Sequence, residues 1–472
     1  MGRTVLQFLQ EKGVFVEAAC GGGGTCGKCL LNIDGVPKLA CQTLYSDEMK
    51  IDVRGSDEGF TVLNVPAENP VIRDKVAYGL AVDIGTTTIA FALVDIESGK
   101  VVFSHGLLNS QRAFGADVIS RIKAADEGGL DNLNCLVLDD ICKGISYICK
   151  ESTVSTDAIQ VMAVAGNTTM LHILLGVSCR SLGQYPFTPE FIEMQRRSFE
   201  SIFNNKTLNC EVLLLPGISA YVGADICAGI LHGCRLENDF VLVDLGTNGE
   251  IARFSKGCVT ATATAAGPAF EAGNISCGTG SITGAISKAV FRPERQAFEY
   301  ELIGQEEAGN GVKPLGLCGS GVLDVAAQLV LHGFIDEAGS LDEDFVIAPG
   351  INFTQKDVRE IQLAKSAVRA GIEVLLAEQS LSYADVNKVY LSGGFGHNLN
   401  FESALILGIF PEEWWDKLES IGNSSLAGCI RVLAEPDAMD EIIAISASAK
   451  VINLSGHPKF NDLFMEHMMF EK

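Results

Sequence analysis

The chain has 472 residues, of which 47% are hydrophobic and 20% charged, so it is long enough for two to four domains with sizeable cores. Its formal net charge of −24 argues against a nucleic-acid partner, because phosphate backbones would be repelled. Fifteen cysteines indicate a reducing, anaerobic cytoplasm rather than a secreted disulfide framework. The sequence contains no uninterrupted apolar run of about 20 residues, so it predicts no membrane span.

The first element in chain order is a cysteine-rich loop with the pattern Cys-x5-Cys-x2-Cys-x11-Cys, formed by Cys20, Cys26, Cys29 and Cys41. An iron–sulfur cluster needs four thiolates that converge on one point. The glycines at 21–24 allow positive φ and bring backbone N–H groups near the sulfurs. A zinc site or a disulfide pair is the alternative, although only Cys26 and Cys29 form the close pair typical of zinc. The pattern therefore favours a [2Fe–2S] cluster.

After Cys29, the sequence predicts a strand at 30–33 and a hairpin turn at Asp34-Gly35. The cysteine loop resembles adrenodoxin-type ferredoxins, and the short approach to Cys41 is similar to succinate dehydrogenase iron–sulfur subunits. Such domains open with a hairpin before the helix that precedes the loop, whereas residues 4–10 here already read as that helix. The resemblance implies an abbreviated β-grasp ferredoxin-like domain at 1–53, followed by a linker at 54–77.

From residue 78 onward, alternating strands and helices predict an α/β architecture. The run LAVDIGTTT at 80–88 recurs as LVDLGTNGE at 242–250. Each copy reads as a buried strand, an Asp-x-Gly-Thr turn and a second strand. We call residues 83–88 the first motif and residues 244–250 the second motif. Two copies predict two similar lobes, which we place at 78–234 and 235–472.

The chemistry of these motifs suits phosphate. Glycine lets backbone N–H groups approach an anion, threonine hydroxyls add donors, and the aspartate can hold Mg²⁺ or orient an attacking water. We therefore predict catalytic roles for Asp83 and Asp244. The predicted phosphate-binding residues are Gly85, Thr86, Thr87, Gly246, Thr247 and Asn248. One copy alone would be weak evidence, and neither a P-loop nor a dinucleotide-binding fingerprint is present.

A third glycine-rich element follows a predicted strand at 389–392. Gly393, Gly394 and Gly396 would let a backbone approach an adenosine or its phosphates, with a plain tight turn as the alternative interpretation. Another buried strand at 159–166 runs into Asn167 and Thr168. Thr168 is predicted either to cap the next helix or to serve a phosphate-linked role.

In this order the motifs resemble those of the ATPase superfamily of sugar kinases, heat-shock chaperones and actin. The first and second motifs match its two phosphate motifs, and residues 392–396 match its adenosine motif. The resemblance implies a two-lobed actin/sugar-kinase-like domain that uses ATP and Mg²⁺. It also implies hinges in the Gly- and Ala-rich stretches at 223–231 and 442–451.

The fusion of this ATPase to a ferredoxin-like domain, with the runs GNTTM, DLGTNGE and GPAFE, resembles the reductive activators of corrinoid enzymes. The resemblance implies ATP-driven electron transfer from the [2Fe–2S] cluster to an inactive Co(II) corrinoid, which regenerates Co(I). The chain lacks an Asp-x-His-x2-Gly cobalamin signature, so the corrinoid would belong to a partner of a methyltransferase system. A low-potential electron donor and a homodimer are also implied.

Three other functions remain as alternatives. Activators of 2-hydroxyacyl-CoA dehydratases also deliver low-potential electrons, but they typically hold a [4Fe–4S] cluster between two subunits, and four cysteines in one chain disfavour that. A small-molecule kinase has no need of a cluster. A redox-sensing module with lobes that only bind nucleotide is disfavoured by the intact Asp-x-Gly-Thr turns.

Overall fold

The computed structural model describes residues 3–12, 14, 16, 22, 24, 29–52, 76–115, 117–246, 248–305, 312–393 and 399–470. Five of the predicted site residues lie outside the described residues: Cys20, Cys26, Thr247, Gly394 and Gly396. The described residues divide into two compact units. Unit one contains the residues up to 52, 76–228 and 425–443, and unit two contains 229–424 and 444–470.

The N-terminal part of unit one carries the predicted helix and hairpin. Helix α1, Val5–Glu11, begins with a capping box in which the Gln7 N–H donates to the Thr4 hydroxyl at 3.2 Å. Strands β1, Leu30–Ile33, and β2, Val36–Leu39, are antiparallel, and β3, Ile51–Asp52, pairs with the other edge of β1. Asp34 and Gly35 have φ of 55° and 80°, so the predicted hairpin turn is confirmed.

The main sheet of unit one has the strand order β6-β5-β4-β7-β9-β8. Its strands are β4 Tyr78–Ile84, β5 Thr88–Asp95, β6 Val101–Leu108, β7 Ile159–Gly166, β8 Gln195–Ser198 and β9 Glu211–Leu214. The helices that follow α1 are α2 Val118–Ala124, α3 Leu130–Ser152, α4 Thr168–Leu174, α5 Phe199–Phe203 and α6 Ala224–Gly233. Nearly every residue of β4 and β5 is buried, which explains why both read as continuous apolar runs.

Unit two contains a second six-stranded sheet with the order β19-β18-β10-β11-β12-β20. The strands from β10 onward are β10 Asp239–Leu245, β11 Gly249–Ser255, β12 Cys258–Thr264, β13 Ala285–Arg292, β14 Ala297–Leu302, β15 Gly316–Leu317, β16 Phe345–Ala348, β17 Ile351–Phe353, β18 Val389–Ser392, β19 Leu418–Ser420 and β20 Lys450–Val451. The remaining helices are α7 Gly319–Leu331, α8 Gln355–Ala377, α9 Phe401–Ile406, α10 Ser424–Ala434, α11 Ala438–Ser448 and α12 Phe460–Glu466. Of the helices that the structure describes, none has the length and apolar character needed to cross a membrane.

The two main sheets share one topology. In unit one, β4 is antiparallel to β5, β5 is antiparallel to β6, and β4 is parallel to β7. In unit two, β10, β11 and β12 repeat the antiparallel pairs, and β10 is parallel to β18. The first and second motifs are therefore the turns between the first two strands of each sheet. This agrees with the predicted pair of similar lobes.

The chain passes between the units three times within its described residues. It leaves unit one after residue 228 in α6, returns at residue 425 in α10, and leaves again after residue 443 in α11. The first and third of these positions fall within the stretches predicted as hinges. Hinge motion stays a prediction, as do the domain boundaries at 53, 77 and 234.

At Gly144, α3 packs closely on the sheet of unit one. A Cβ at Gly144 would lie 2.5 Å from Cζ of Phe91, a fully buried side chain of β5. A helix residue without a side chain therefore lets the phenyl ring occupy that space.

We predict that Gly144→Ala destabilises the protein by about 1–2 kcal/mol, because overpacking outweighs the roughly 1 kcal/mol gain in helix propensity. Urea denaturation of the anaerobically prepared protein measures this change. Gly456→Ala is the control, since a Cβ there meets no atom within 4 Å. Equal stability of the two variants would contradict this account of the packing.

Candidate functional site

The first motif forms a tight turn at the end of β4. Asp83 pairs with Ala90 and Ile84 with Ile89, so the turn comprises residues 85–88. The Gly85 N–H donates to the Thr88 carbonyl at 2.9 Å. A Cβ at Gly85 would lie 2.8 Å from that same carbonyl oxygen, so the turn closes this tightly only with glycine.

Three consecutive carbonyls of this turn accept hydrogen bonds from the residues around it. The Asn109 side-chain amide donates to Gly85 O at 2.9 Å, Arg121 Nη2 donates to Thr86 O, and the Asn109 backbone N–H donates to Thr87 O at 2.9 Å. In a trans peptide, a carbonyl and the following N–H point in opposite directions. The N–H groups of Thr86 and Thr87 are therefore directed away from Asn109 and Arg121. Successive N–H groups presented in this way form an anion-binding concavity.

The donors to this turn belong to a fully buried polar layer made of Asn109, Gln111 and Arg121. The Gln111 N–H donates to Asn109 Oδ1 at 3.0 Å, and Arg121 Nη1 donates to Gln111 Oε1 at 3.3 Å. The Gln111 amide donates in turn to Leu133 O at 2.9 Å. Buried amides that satisfy one another in this way are costly to rearrange, so the layer holds the turn in one conformation.

The loop after β7 provides a further contact to the first motif. The Asn167 amide donates to the Thr86 hydroxyl at 3.2 Å, while Asn167 Oδ1 accepts from the Met170 N–H at 2.9 Å. Asn167 is thus the N-cap of α4, and the prediction that Thr168 is the cap was wrong by one residue. The Thr168 hydroxyl instead donates to Ser219 O at 2.6 Å. The end of β7 therefore contributes its asparagine, rather than its first threonine, to the site.

Asp83 is oriented by the first turn of α10. Its Oδ1 atom accepts from the Ser425 hydroxyl at 2.7 Å, and the Ser425 side chain is buried. The N-terminal end of a helix presents backbone N–H groups and favours an acidic side chain at this position. On the same helix, burial and the charge of Asp83 raise the pKa of the Cys429 thiol well above its ordinary value.

The second motif, in unit two, is a shorter turn. Leu245 pairs with Gly249, and the Gly246 N–H donates to Asn248 O at 2.9 Å. Asp244 Oδ2 accepts from the Ser392 hydroxyl at 2.8 Å, and Ser392 in turn lies 2.6 Å from the Ser424 hydroxyl. As with Asp83, a serine hydroxyl orients the aspartate near the end of the buried strand.

Gly393, the first glycine after β18, lies directly against this aspartate. It has a φ of +87°, and a Cβ there would lie 2.7 Å from Asp244 Oδ1. Both the backbone conformation and the close approach therefore require glycine. Gly393 was predicted to line a nucleotide pocket; that role stays a prediction, and the structure places the residue against the predicted catalytic carboxylate.

The cysteine region brings two of the four predicted ligands into one small core. Cys29 is part of a small hydrophobic core that also contains residues of α1, and Cys41 packs against that core. The Ala40 N–H donates to Cys29 O at 2.8 Å, which ties the chain before Cys41 to Cys29. Gly22 has a φ of +87°, and a Cβ there would lie 3.9 Å from the Cβ of Cys41. Gly22 thus lies beside the fourth cysteine, and the ligand set Cys20, Cys26, Cys29 and Cys41 stays a prediction.

Three consecutive parts of the chain match known protein families. Residues 1–52 match the 2Fe-2S iron-sulfur cluster binding domain, residues 78–238 the RACo middle region, and residues 238–472 the C-terminal domain of RACo, which is an ASKHA domain. The fold and the paired motifs therefore define an iron–sulfur protein with an ASKHA-type ATPase.

Two curated relatives and one solved structure cover most of the chain. The corrinoid activation enzyme RamQ of Eubacterium limosum is 30% identical over 94% of this chain and 80% of its own length. The [Co(II) methylated amine-specific corrinoid protein] reductase of Methanosarcina barkeri is 27% identical over 82% of this chain and 76% of its own. The structure of a reductive activator for corrinoid, iron–sulfur protein superposes with a TM-score of 0.75 at 26% identity, covering 99% of this chain and 95% of that one. The chain belongs to the family of ATP-dependent reductive activators of corrinoid proteins.

Three residues that contact the motifs were missed from the sequence: Asn109, Arg121 and Ser425. Asn167 and Ser392 lie in segments that the sequence singled out, but their contacts with the motifs were not predicted. Arg121 carried a readable signal, because it falls on the buried face of α2 together with Val118 and Ile122, where a cation is unexpected. Ser425 has no such signal, because a serine hydroxyl is compatible with many local environments.

His172 anchors α4 through a buried, neutral imidazole. Its Nδ1–H donates to Thr168 O at 2.8 Å, and its Nε2 accepts from the Glu190 N–H at 3.0 Å. The ring stacks on Phe191 with centroids 4.4 Å apart. Burial lowers the pKa of His172 from its ordinary value of 6.5, although the Thr168 bond and the Glu190 charge oppose that change.

We predict that His172 makes the protein less stable as the pH falls below about 6.5. The His172 imidazole is protonated there in the unfolded chain, whereas in the folded protein it resists protonation. The free energy of unfolding therefore falls by up to about 1.4 kcal/mol per pH unit until the pH reaches the lowered pKa. Thermal unfolding of wild type and His172→Gln between about pH 5 and pH 7.5 measures this effect. The wild type should lose more stability on acidification, and parallel curves would contradict the prediction.

Proposed function

We propose that this chain delivers one electron from its [2Fe–2S] cluster to the Co(II) corrinoid of a partner protein of a methyltransferase system, giving Co(I), and that ATP binding and hydrolysis at the two motifs drive the transfer. The cluster is oxidised by one electron and the cobalt is reduced by one. The observation that supports the ATPase part is the orientation of the Thr86 and Thr87 N–H groups, which are directed away from Asn109 and Arg121. The names of the two curated relatives support the corrinoid part.

The need for ATP follows from redox energetics. Plant-type [2Fe–2S] centres have potentials of about −400 mV, and the reduction of Co(II) corrinoids requires a still lower potential. For a one-electron transfer, each ~59 mV uphill lowers the equilibrium constant about tenfold. ATP binding would change the activator's relative affinity for the Co(II) and Co(I) states of the corrinoid protein. The resulting coupling free energy would offset the cost of the uphill transfer.

We assign the nucleotide roles to the two motifs as follows. The N–H groups and hydroxyls of Thr86 and Thr87 bind phosphate in unit one, as do Gly246, Thr247 and Asn248 in unit two. Gly85 permits the tight turn, and Gly393, Gly394 and Gly396 line the adenosine side. Asp83 and Asp244, each held by a serine, coordinate Mg²⁺ or orient the attacking water.

The hydrolysis step needs little covalent chemistry from the protein. Water adds to the terminal phosphorus while the bond to the ADP oxygen breaks, so the catalytic contribution is positioning and charge stabilisation. The Ser425–Asp83 and Ser392–Asp244 contacts fix the direction of each carboxylate before nucleotide binds. Preorganised carboxylates of this kind need no reorganisation at the moment of reaction.

One further partner follows from this function. A low-potential donor must re-reduce the [2Fe–2S] centre after each transfer, because each turnover leaves the activator oxidised by one electron. A homodimer is the assembly that the family resemblance implies.

The decisive experiment follows Co(I) absorbance after mixing the anaerobic, reduced protein with a Co(II) corrinoid protein. Co(I) that forms only with ATP and with an intact cluster supports the proposal. ATP turnover that is indifferent to the corrinoid protein, without Co(I), would redirect the search to acyl-CoA-type acceptors.

We predict that Asp244→Asn lowers ATP turnover by about a hundredfold or more, because removing a group that positions water or metal has effects of that order. Visible absorption of the [2Fe–2S] centre should stay unchanged. The exposed Asp342→Asn removes the same charge elsewhere in unit two and serves as the control. Wild-type turnover in Asp244→Asn would remove the catalytic assignment of this residue.

A further inference from the structure

Arg121 is a fully buried cation that bonds directly to the first motif. Its Nη2 donates to Thr86 O, and its Nε donates to Gly115 O at 3.0 Å. Its Nη1 lies 3.3 Å from Gln111 Oε1 and 3.2 Å from the Met170 sulfur. One guanidinium therefore joins the first motif to α2, to the loop that precedes α2, and to α4.

The position of this bond matters because it determines the direction of one peptide plane. The carbonyl of Thr86 belongs to the same plane as the N–H of Thr87. By holding that oxygen, Arg121 directs the Thr87 N–H to the opposite face, the face of the proposed phosphate site. Asn109 does the same for Gly85 O and the Thr86 N–H.

We infer that Arg121 is a positioning residue for phosphate binding: it fixes the Thr87 N–H and places a permanent positive charge behind the first motif. This inference rests on the proposed phosphate role of that motif. A guanidinium suits the task because it is charged at every physiological pH and presents its donors in a rigid fork. Its charge would favour the triphosphate of ATP and would have little effect on an uncharged nucleoside.

A purely structural role makes a different prediction. If Arg121 only packed α2 against the sheet, its loss would weaken the binding of ATP and of adenosine to a similar extent, or would change neither. The affinity ratio between these two ligands therefore separates positioning and charge from general loss of structure.

The experiment measures the dissociation constants of ATP and adenosine by equilibrium titration of the full-length, cluster-loaded protein. Arg121→Met removes the charge and the fork, and Arg121→Lys keeps only the charge. We expect Arg121→Met to weaken ATP binding about tenfold or more, the scale of one lost charge-assisted hydrogen bond, with adenosine binding unchanged. Arg121→Lys should recover part of that loss.

Arg431→Met is the matched control, because Arg431 is also buried in unit one but pairs with Glu435 and Glu441. It should leave the affinity ratio at the wild-type value. If both Arg121 variants keep the wild-type ratio, or lose ATP and adenosine affinity equally, the inference is wrong. If Arg121→Met does not fold, the Arg121→Lys ratio alone decides between these outcomes.

Gly85→Ala separates failure of this inference from failure of the proposed function. Its Cβ would collide with Thr88 O and distort the turn itself. If Gly85→Ala weakens ATP binding and the Arg121 variants do not, only the role of Arg121 fails. If none of these variants changes ATP binding, the phosphate role of the first motif fails with it.

Discussion

The site in unit one depends on the direction of a few peptide planes. A turn can bind phosphate only if its N–H groups face the ligand, and isolated turns of residues such as Gly and Thr sample many orientations. Here Asn109 and Arg121 hold the carbonyls of residues 85–87 from the protein side, so the N–H groups of Thr86 and Thr87 face the other way. Asn167 on the Thr86 hydroxyl and Ser425 on Asp83 add two side-chain contacts to the same motif.

The two units place their motifs with the same strand topology but stabilise them with partly different contacts. Each motif follows the first strand of a sheet whose next two strands return antiparallel. Each aspartate is held by a serine hydroxyl, Ser425 in unit one and Ser392 in unit two. In unit one a buried guanidinium stabilises the turn, whereas in unit two the Gly393 backbone packs against the carboxylate of Asp244.

Glycine allows close approach of the backbone in both units. At Gly85 the neighbour that a Cβ would meet is a carbonyl oxygen, and at Gly393 it is a carboxylate oxygen. Gly22 instead needs glycine for its φ of +87°. The glycines at these three positions therefore follow from local backbone geometry.

The sequence by itself determined the hairpin at Asp34-Gly35, the buried strands and the duplicated Asp-x-Gly-Thr turns, because each depends on residues that are adjacent in the chain. It also identified the four cysteines and the two aspartates as candidates. Only the tertiary structure decided which side chains orient those candidates: Asn109 and Arg121 lie 20 or more residues from the turn they hold, and Ser425 lies over 300 residues from Asp83. No local pattern encodes such pairs, since a buried arginine or serine acquires its partner only when the sheet and its helices pack together.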